Sequence, residues 1–292
     1  MHFANMFARS AISLLSLSIL PSVTCSLTES CGVSRDILAE LKLYSQYVSA
    51  SYCSNNYNGT TTPTVTCPTG SCPEVQDSDA TAFGSFFNIG NDSVSALLTV
   101  SHAHKKLVLA FPGAATTIAA ETKLETAFLD CTAICSKCGC HSGYYNAWTT
   151  VRDRAVALVN AAKEQFPHYP LVVTGHSFGA TIAVFAAAEF RNNGTATDLY
   201  TYGQPHVGDL IMSKYVSDQG NNYRVTHTDD PAPRFEDPSL GYRHITPEYW
   251  IYEDRNANFT VAPDQIKVIH GYNSSAGNEV RRDNFTNQEN TY

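Results

Sequence analysis

The sequence predicts an α/β fold with a mainly parallel central sheet and helices on both of its faces. Apolar runs at Lys106–Phe111 and Leu171–Thr174 have the composition of buried strands. Apolar residues recur at helical spacing in Asn146–Phe166 and Thr181–Phe190. Strands that alternate with helices favour parallel pairing, because each connection crosses back over the sheet. The 292 residues contain no linker and no internal repeat, so we expect one domain.

The remaining elements follow in chain order from the same patterns. Ser34 can cap a helix whose apolar residues recur at helical spacing: Ile37, Leu38, Leu41, Tyr44 and Val48. Apolar segments around Phe83–Phe87 and Ala96–Val100 precede the strand at Lys106. Later apolar runs predict short strands at Asp198–Tyr202, Tyr223–Thr226 and Ile266–Ile269.

Residues 1–25 have the pattern of a secretory signal peptide. Arg9 precedes the apolar stretch Ala11–Leu20, which is followed by Pro21 and by small residues up to Cys25. A membrane anchor is the alternative, but the stretch is shorter than the ~20 residues that span a bilayer. We therefore expect secretion, cleavage after Cys25 and one domain over residues 26–292.

The charge and the cysteines narrow the class of protein further. A formal net charge of −8 without a Lys/Arg run argues against nucleic acid as a partner. Nine cysteines are present, and cleavage after Cys25 would leave an even set of eight, which suits four disulfides. The cluster Cys131, Cys135, Cys138 and Cys140 could instead bind zinc, although an oxidising compartment favours disulfides. Six N-x-S/T sequons also fit export: Asn58, Asn91, Asn193, Asn258, Asn273 and Asn284.

The segment Gly175-His176-Ser177-Phe178-Gly179 follows a predicted strand and precedes a predicted helix. This G-x-S-x-G pattern in this context is typical of a nucleophile elbow. A strand that turns directly into a helix forces its central residue into a strained conformation and leaves no room for side chains two positions away. Ser177 is therefore the candidate nucleophile for ester carbonyls, and the N–H of Phe178 is a candidate oxyanion donor. An ordinary glycine-rich turn is the alternative.

Several further motifs accompany the elbow. They are Tyr52-Cys53, Cys67-x4-Cys72-Pro73-Glu74-Val75, Cys135-x2-Cys138, His141-x-Gly143-Tyr144, Tyr202-Gly203-x-Pro205-x-Val207-Gly208 and Gly241-Tyr242-x-His244-x-x-Pro247-Glu248-Tyr249-Trp250. With these motifs the chain resembles the fungal class 3 lipases, a family that includes feruloyl esterases. The resemblance implies an α/β-hydrolase fold, a Ser-Asp-His triad, no metal and no cofactor. It also implies the disulfides Cys67–Cys72 and Cys135–Cys138, and by elimination we add Cys31–Cys53 and Cys131–Cys140.

The same resemblance implies the positions of further catalytic groups. It places the triad carboxylate at Asp230 rather than at Asp229, although two acids before a proline could simply cap a turn. The segment Phe111–Ala114 should supply the second oxyanion donor from the N–H of Ala114, where the family usually has serine or threonine. Residues 116–124 occupy the position of the family's lid, with alanines at 119 and 120 in place of a bulky aromatic.

The catalytic base has no clear counterpart. Only His244 and His270 follow Asp230, and neither matches the position that the family uses. Three explanations stay open: a chain that is truncated or mis-joined near its end, His270 acting through a rearranged loop, or an impaired relative that binds lipid or a partner. We expect a secreted carboxylic-ester hydrolase, with triacylglycerol lipase as first choice and feruloyl-type esterase as an alternative. The expected partner is an acylglycerol at a lipid–water interface, and we expect no transmembrane anchor.

Overall fold

The computed structural model describes residues 32–57, 64–114, 127–228, 230–252, 260–272 and 276–281. The chain divides into two compact units, Met1–Cys31 and Gly32–Tyr292. The predicted signal peptide and the predicted lid segment, residues 116–124, lie outside the described residues. Within the described part, no helix is both long and apolar enough to cross a membrane.

Ten strands are described, and eight of them form the main sheet. Their bounds are β1 Thr81–Ile89, β2 Val94–Ser101, β3 Lys106–Phe111, β4 Phe128–Asp130, β5 Gly139–His141, β6 Leu171–His176, β7 Thr197–Tyr202, β8 Asn222–His227, β9 Glu248–Ile251 and β10 Ile266–Ile269. The order in the main sheet is β1-β2-β3-β6-β7-β8-β9-β10, and β4 pairs with β5 in a separate ribbon. Strands β3, β6, β7, β8 and β9 run parallel, whereas β1, β2 and β10 are antiparallel to their neighbours. The predicted mainly parallel sheet is confirmed.

Helices cover both faces of this sheet. Their bounds are α1 Arg35–Ser51, α2 Pro73–Asp77, α3 Ser142–Gln165, α4 Phe178–Asn192 and α5 Leu210–Asp218. Short 3-10 turns lie at Ser54–Asn56, Ala232–Arg234, Pro238–Leu240, Pro263–Gln265 and Gly277–Arg281. Along β3, Leu107 and Leu109 pack in the core beneath α3 and α4, whereas Val108 and Ala110 pack beneath α1. This alternation follows from the two-residue period of a strand that is buried on both sides.

The helix ends agree with their sequences. The hydroxyl oxygen of Ser34 accepts a hydrogen bond from the Ile37 N–H at 3.1 Å, which confirms Ser34 as the cap of α1. Helix α3 begins four residues before the predicted Asn146, because His141 acts as its cap and its Nδ1 accepts from the Tyr144 N–H at 3.3 Å. Histidine is not a preferred cap residue, so the sequence pattern missed this start.

Among the described residues, three disulfides are formed: Cys67–Cys72, Cys131–Cys140 and Cys135–Cys138. All four cysteines of the cluster around Cys135 are therefore oxidised, which rules out the zinc alternative for them. The prediction of a Cys31–Cys53 bond is wrong for this structure, because Cys53 has a free thiol. Its Sγ lies 3.6 Å from the Ser49 carbonyl oxygen on the preceding helical turn, and Cys31 lies outside the described residues.

A buried ion pair joins β8 to β9. Arg224 Nη2 lies 3.2 Å from Glu248 Oε2, with each side chain 5% exposed. The second carboxylate oxygen of Glu248 accepts from the Thr226 hydroxyl at 2.5 Å and from the Asn278 N–H at 3.1 Å. The Arg224 Nε donates to the Ile245 carbonyl oxygen at 3.0 Å. Each charge is therefore paired in a place where an isolated charge would be costly.

We predict that Glu248→Ala lowers the free energy of unfolding by about 3–5 kcal/mol, because Arg224 would stay buried without its partner. Asp153→Ala is the control, since the Arg152–Asp153 pair is largely exposed and such pairs contribute about 0–1 kcal/mol. Urea unfolding with the disulfides intact measures both variants. Equal losses in the two variants would contradict the assigned role of the buried pair.

Candidate active site

Ser177 is the single residue between the end of β6 and the start of α4. Its backbone has φ 51° and ψ −122°, a conformation that non-glycine residues rarely adopt. A Cβ placed on Gly175 would lie 2.4 Å from the Gly179 carbonyl oxygen, and one on Gly179 would lie 2.2 Å from the Pro112 carbonyl oxygen. Both positions therefore require glycine, and the steric prediction made from G-x-S-x-G is confirmed.

The side chain of Ser177 is half-buried and reaches solvent at the carboxyl edge of the sheet. The Ser177 N–H donates to the Tyr202 carbonyl oxygen of β7 at 2.9 Å, which holds the elbow against the neighbouring strand. Among the described residues, no hydrogen bond engages its Oγ. The hydroxyl is therefore presented to a ligand rather than used within the fold.

The loop after β3 lies directly against the elbow. Because β3 and β6 are parallel neighbours, their carboxyl ends meet, and the Phe111 and Pro112 carbonyls contact Gly179. Ala114 is exposed at this edge. The N–H of Phe178 is the first of α4, so it has no intrahelical partner and carries part of the positive end of the helix dipole. The backbone groups named in the sequence prediction are thus brought to one edge of the sheet.

Asp230 follows β8, two strands from β6 and on the same edge of the sheet. The residue is 4% exposed, and its Oδ1 accepts from the Ala232 N–H at 2.9 Å. The Asn278 side chain donates to the Asp230 carbonyl oxygen at 3.1 Å. Asp230 therefore caps the turn through its contact with the Ala232 N–H, as the turn-cap alternative predicted. It also lies near the sheet edge that carries Ser177. Asp229 lies outside the described residues.

Comparisons with known proteins agree with this geometry. A family model described as lipase (class 3) matches residues 108–239. Secreted mono- and diacylglycerol lipase A of Penicillium cyclopium is 36% identical over 254 residues, which are 86% of this chain and 81% of that protein. The chain belongs to the class 3 lipase family. It is therefore a serine ester hydrolase of the lipase class, with the α/β-hydrolase fold.

Further fungal lipases are also similar to this chain. Secreted mono- and diacylglycerol lipase 1 of Fusarium solani is 35% identical over 236 residues, which are 80% of this chain and 69% of that protein. The crystal structure of a mono- and diacylglycerol lipase from Aspergillus oryzae has a TM-score of 0.78 and 34% identity, covering 84% of this chain and 90% of that one. A second solved structure, of a fungal lipase described as having "an unusual buried polar cluster", has a TM-score of 0.77 and 36% identity. It also covers 84% of this chain and 90% of its own chain.

In this lipase, His270 lies far from the nucleophile, and His244 uses one ring nitrogen within the fold. The registers place Gly175, Thr201, Arg224, Glu248 and Ile269 in one row across the sheet. His270 comes directly after Ile269, so four strand spacings, about 19 Å, separate its strand from β6. His244 is buried, and its Nε2 lies 2.7 Å from the Pro233 carbonyl oxygen. The explanation that assigns the base to His270 therefore does not fit this arrangement.

Buried polar side chains also cluster beneath this edge of the lipase. The Tyr144 hydroxyl donates to Glu236 at 2.8 Å, and His141 Nε2 lies 3.5 Å from the same carboxylate oxygen. Burial raises the pKa of the Tyr144 hydroxyl well above its ordinary value, and the Glu236 charge raises it further. The hydroxyl therefore stays protonated and remains a donor.

One group in this region has the residue types of a metal site. Donor atoms of His206, His244 and Glu279 lie within 4.8 Å of one another. The two imidazole rings, however, are stacked with centroids 3.7 Å apart and planes 22° apart. Their in-plane lone pairs therefore run side by side and do not converge on one ion at ~2.1 Å. His206 Nδ1 also lies 2.7 Å from the Phe235 carbonyl oxygen, so the group is a hydrogen-bonded structural cluster.

Tyr52 is a residue at this site whose role the sequence analysis missed. Its hydroxyl oxygen accepts from the Gly113 N–H at 2.6 Å and lies 2.7 Å from His176 Nδ1. Half of the Tyr52 side chain is exposed, but desolvation of its hydroxyl between Gly113 and His176 raises the pKa of Tyr52 to about 12, so the hydroxyl keeps its proton at neutral pH and can donate to His176. One hydroxyl thus joins the loop after β3 to the elbow. The sequence separations, 61 and 124 residues, left no local signal.

We predict that Tyr52→Phe lowers kcat roughly 10-fold and changes KM less. The substitution removes the acceptor of the Gly113 N–H, and it also removes the hydroxyl that connects the loop after β3 to His176. Tyr215→Phe is the control, since it removes a tyrosine hydroxyl that donates to Asn192 at 2.7 Å, at the far end of α4. Steady-state hydrolysis of a soluble ester measures both. The role fails if the two variants lose activity equally or if Tyr52→Phe loses none.

Proposed function

We propose that this lipase hydrolyses acylglycerols with Ser177 as the nucleophile and Asp230 as the triad carboxylate. The observation that carries the proposal is the position of Ser177, strained at φ 51° and half-buried at the carboxyl edge of β6. Strain held at one exposed residue by packed surroundings is typical of functional sites. The N–H groups of Ala114 and Phe178 supply the oxyanion hole in this proposal.

The reaction proceeds in two halves. Ser177 Oγ attacks the ester carbonyl carbon, and the negative charge that forms on the carbonyl oxygen is held by the two N–H groups. The tetrahedral intermediate expels a glycerol alcohol, and water then attacks the acyl-enzyme to release the fatty acid. The role of Asp230 is to orient a histidine that takes the Ser177 proton. Of the two histidines that follow Asp230, His270 follows a strand four spacings from β6 and the Nε2 of His244 contacts the Pro233 carbonyl oxygen, so the base stays unassigned.

Partial glycerides are the substrates that we favour over triacylglycerols. The relatives from Penicillium cyclopium and Fusarium solani are named mono- and diacylglycerol lipases, and each is more than one third identical to this chain. Secretion is part of the proposal as well. Those relatives are named as secreted, and the three disulfides suit an oxidising compartment. The predicted signal peptide over residues 1–25 agrees with this destination.

The unassigned base is the observation that favours a second candidate function. A serine without its base is a weak nucleophile, so the chain could bind acyl chains without turning them over. This candidate predicts saturable binding of a fatty-acid probe and no release of acid from any glyceride. Titration of released fatty acid from monoolein, diolein and triolein emulsions separates the two functions.

We predict that the secreted protein releases acid from monoolein and diolein faster than from triolein, and that Ser177→Ala lowers the rate about 10⁴-fold or more. Asp230→Asn should lower it to a similar extent, because the base would lose its charged partner. Asp237→Asn is the matched control: Asp237 makes the same kind of turn contact, accepting from the Ser239 N–H at 2.8 Å. A rate that survives Ser177→Ala would contradict the proposal. Equal losses of rate in Asp230→Asn and Asp237→Asn would show that Asp230 only caps a turn.

We also predict that Ala114→Thr raises kcat about 10-fold, because a hydroxyl donor would add to the oxyanion hole and such donors contribute roughly 10²–10³ in rate. Ala114→Val is the isosteric control without a hydroxyl. Single-turnover acylation of Ser177 by a p-nitrophenyl ester measures the step directly. Equal acylation rates in the two variants would show that position 114 contributes only through its backbone.

A further inference from the structure

The end of α4 presents an acceptor sequence for N-linked glycosylation that the ester-hydrolase function does not use. The helix ends at Asn192, and Asn193-Gly194-Thr195 follow as an N-x-T sequon. We infer that Asn193 carries an N-linked oligosaccharide in the secreted protein. This inference rests on the secretion part of the proposed function, because the modification takes place in the secretory pathway.

The backbone after α4 is fixed in a Schellman turn. The Gly194 N–H donates to the Arg191 carbonyl oxygen at 3.0 Å, and the Thr195 N–H donates to that of Phe190 at 2.9 Å. Gly194 has φ 78°, and a Cβ placed on it would meet nothing within 4 Å. Glycine at the middle position therefore suits the positive φ of the turn and is compatible with the sequon, and the space around Gly194 is open.

Two adjacent asparagines are both exposed but differ in the hydrogen bonds of their side chains. The side chain of Asn192 is held in the fold: it donates to the Ile134 carbonyl oxygen at 2.8 Å and accepts from the Tyr215 hydroxyl at 2.7 Å. Asn193 is exposed, and within the described residues its side chain makes no hydrogen bond. The amide nitrogen of Asn193 is therefore accessible for a glycan, whereas Asn192 is structural and lies outside any sequon.

The chemistry is a glycosyl transfer. Asn193 Nδ2 forms a bond to the anomeric carbon of an oligosaccharide carried on a polyprenyl diphosphate. The bond from that carbon to the diphosphate oxygen breaks, the lipid diphosphate leaves with the electron pair, and one amide proton is lost. The oligosaccharide on its polyprenyl diphosphate is supplied by the secretory pathway. This chain supplies only the acceptor, Asn193, and the Thr195 hydroxyl that completes the N-x-T recognition sequence.

Asn193 also lies where a glycan leaves the active site open. Ser177 and Asn193 are at opposite ends of α4, whose 15 residues span about 22 Å at 1.5 Å per residue. The glycan therefore emerges near the amino edge of the parallel strands, away from the Ser177 edge. It remains in water while the Ser177 edge faces a lipid surface.

The test maps glycans on the full chain collected from the medium of a yeast host that uses the chain's own leader. After endoglycosidase H treatment, mass spectrometry should find the Asn193 peptide with one N-acetylglucosamine in most molecules. Thr195→Ala should abolish this mass and Thr195→Ser should retain it, because neither changes the backbone bonds of the turn. Asn192→Gln is a second control and should retain the glycan. Thr195→Ala should leave ester hydrolysis unchanged.

The inference is overturned if Asn193 in the secreted protein is unmodified, or if the added mass survives Thr195→Ala. Failure of secretion is a separate result. If no protein reaches the medium with the native leader, the secretion proposal fails. The same mapping on protein exported through the host's leader, fused before Ser26, then still decides whether Asn193 is an acceptor.

Discussion

The close approach of the β6–α4 turn to the loop after β3 is the constraint on which the rest of the site depends. It is possible only because Gly175 and Gly179 have no side chains, since a Cβ on either would overlap backbone atoms. The contact of Gly175 with Gly179 keeps the strand-to-helix turn tight, with Ser177 at a positive φ, and the contact of Gly179 with Phe111 and Pro112 holds the loop after β3 against the start of α4. The nucleophile and the oxyanion donors that we propose are therefore positioned by the same set of glycine contacts.

Two further sets of contacts surround this one. On the side of α1, the Tyr52 hydroxyl bonds both Gly113 and His176, so the end of this helix is tied to the loop after β3 and to the elbow. On the side of β8, Asn278 contacts the backbone around Asp230 and also the buried Glu248. The segment at Gly277–Arg281 thus couples the acid's turn to the ion pair inside the sheet. A serine hydroxyl without a hydrogen bond among the described residues lies between these two fixed regions.

The sequence predicted correctly those features that are determined by residues close together in the chain. The elbow, the strands β3 and β6, and the Cys67–Cys72 and Cys135–Cys138 pairs all lie within short stretches of sequence. Strand β9 was not predicted as a strand from its periodicity, because Glu248 is a polar residue buried only through its pairing with Arg224. Tyr52 and the free thiol of Cys53 depend on contacts between distant segments, which residue spacing does not encode.

The most direct test is a crystal structure of the protein after reaction with an alkyl phosphonate ester, which mimics the tetrahedral intermediate. We expect a covalent bond from Ser177 Oγ to phosphorus. We also expect a phosphonyl oxygen about 2.7–3.1 Å from the backbone nitrogens of Phe178 and Ala114. A phosphonyl oxygen directed away from both nitrogens, or an adduct on another residue, would contradict the roles proposed for these residues.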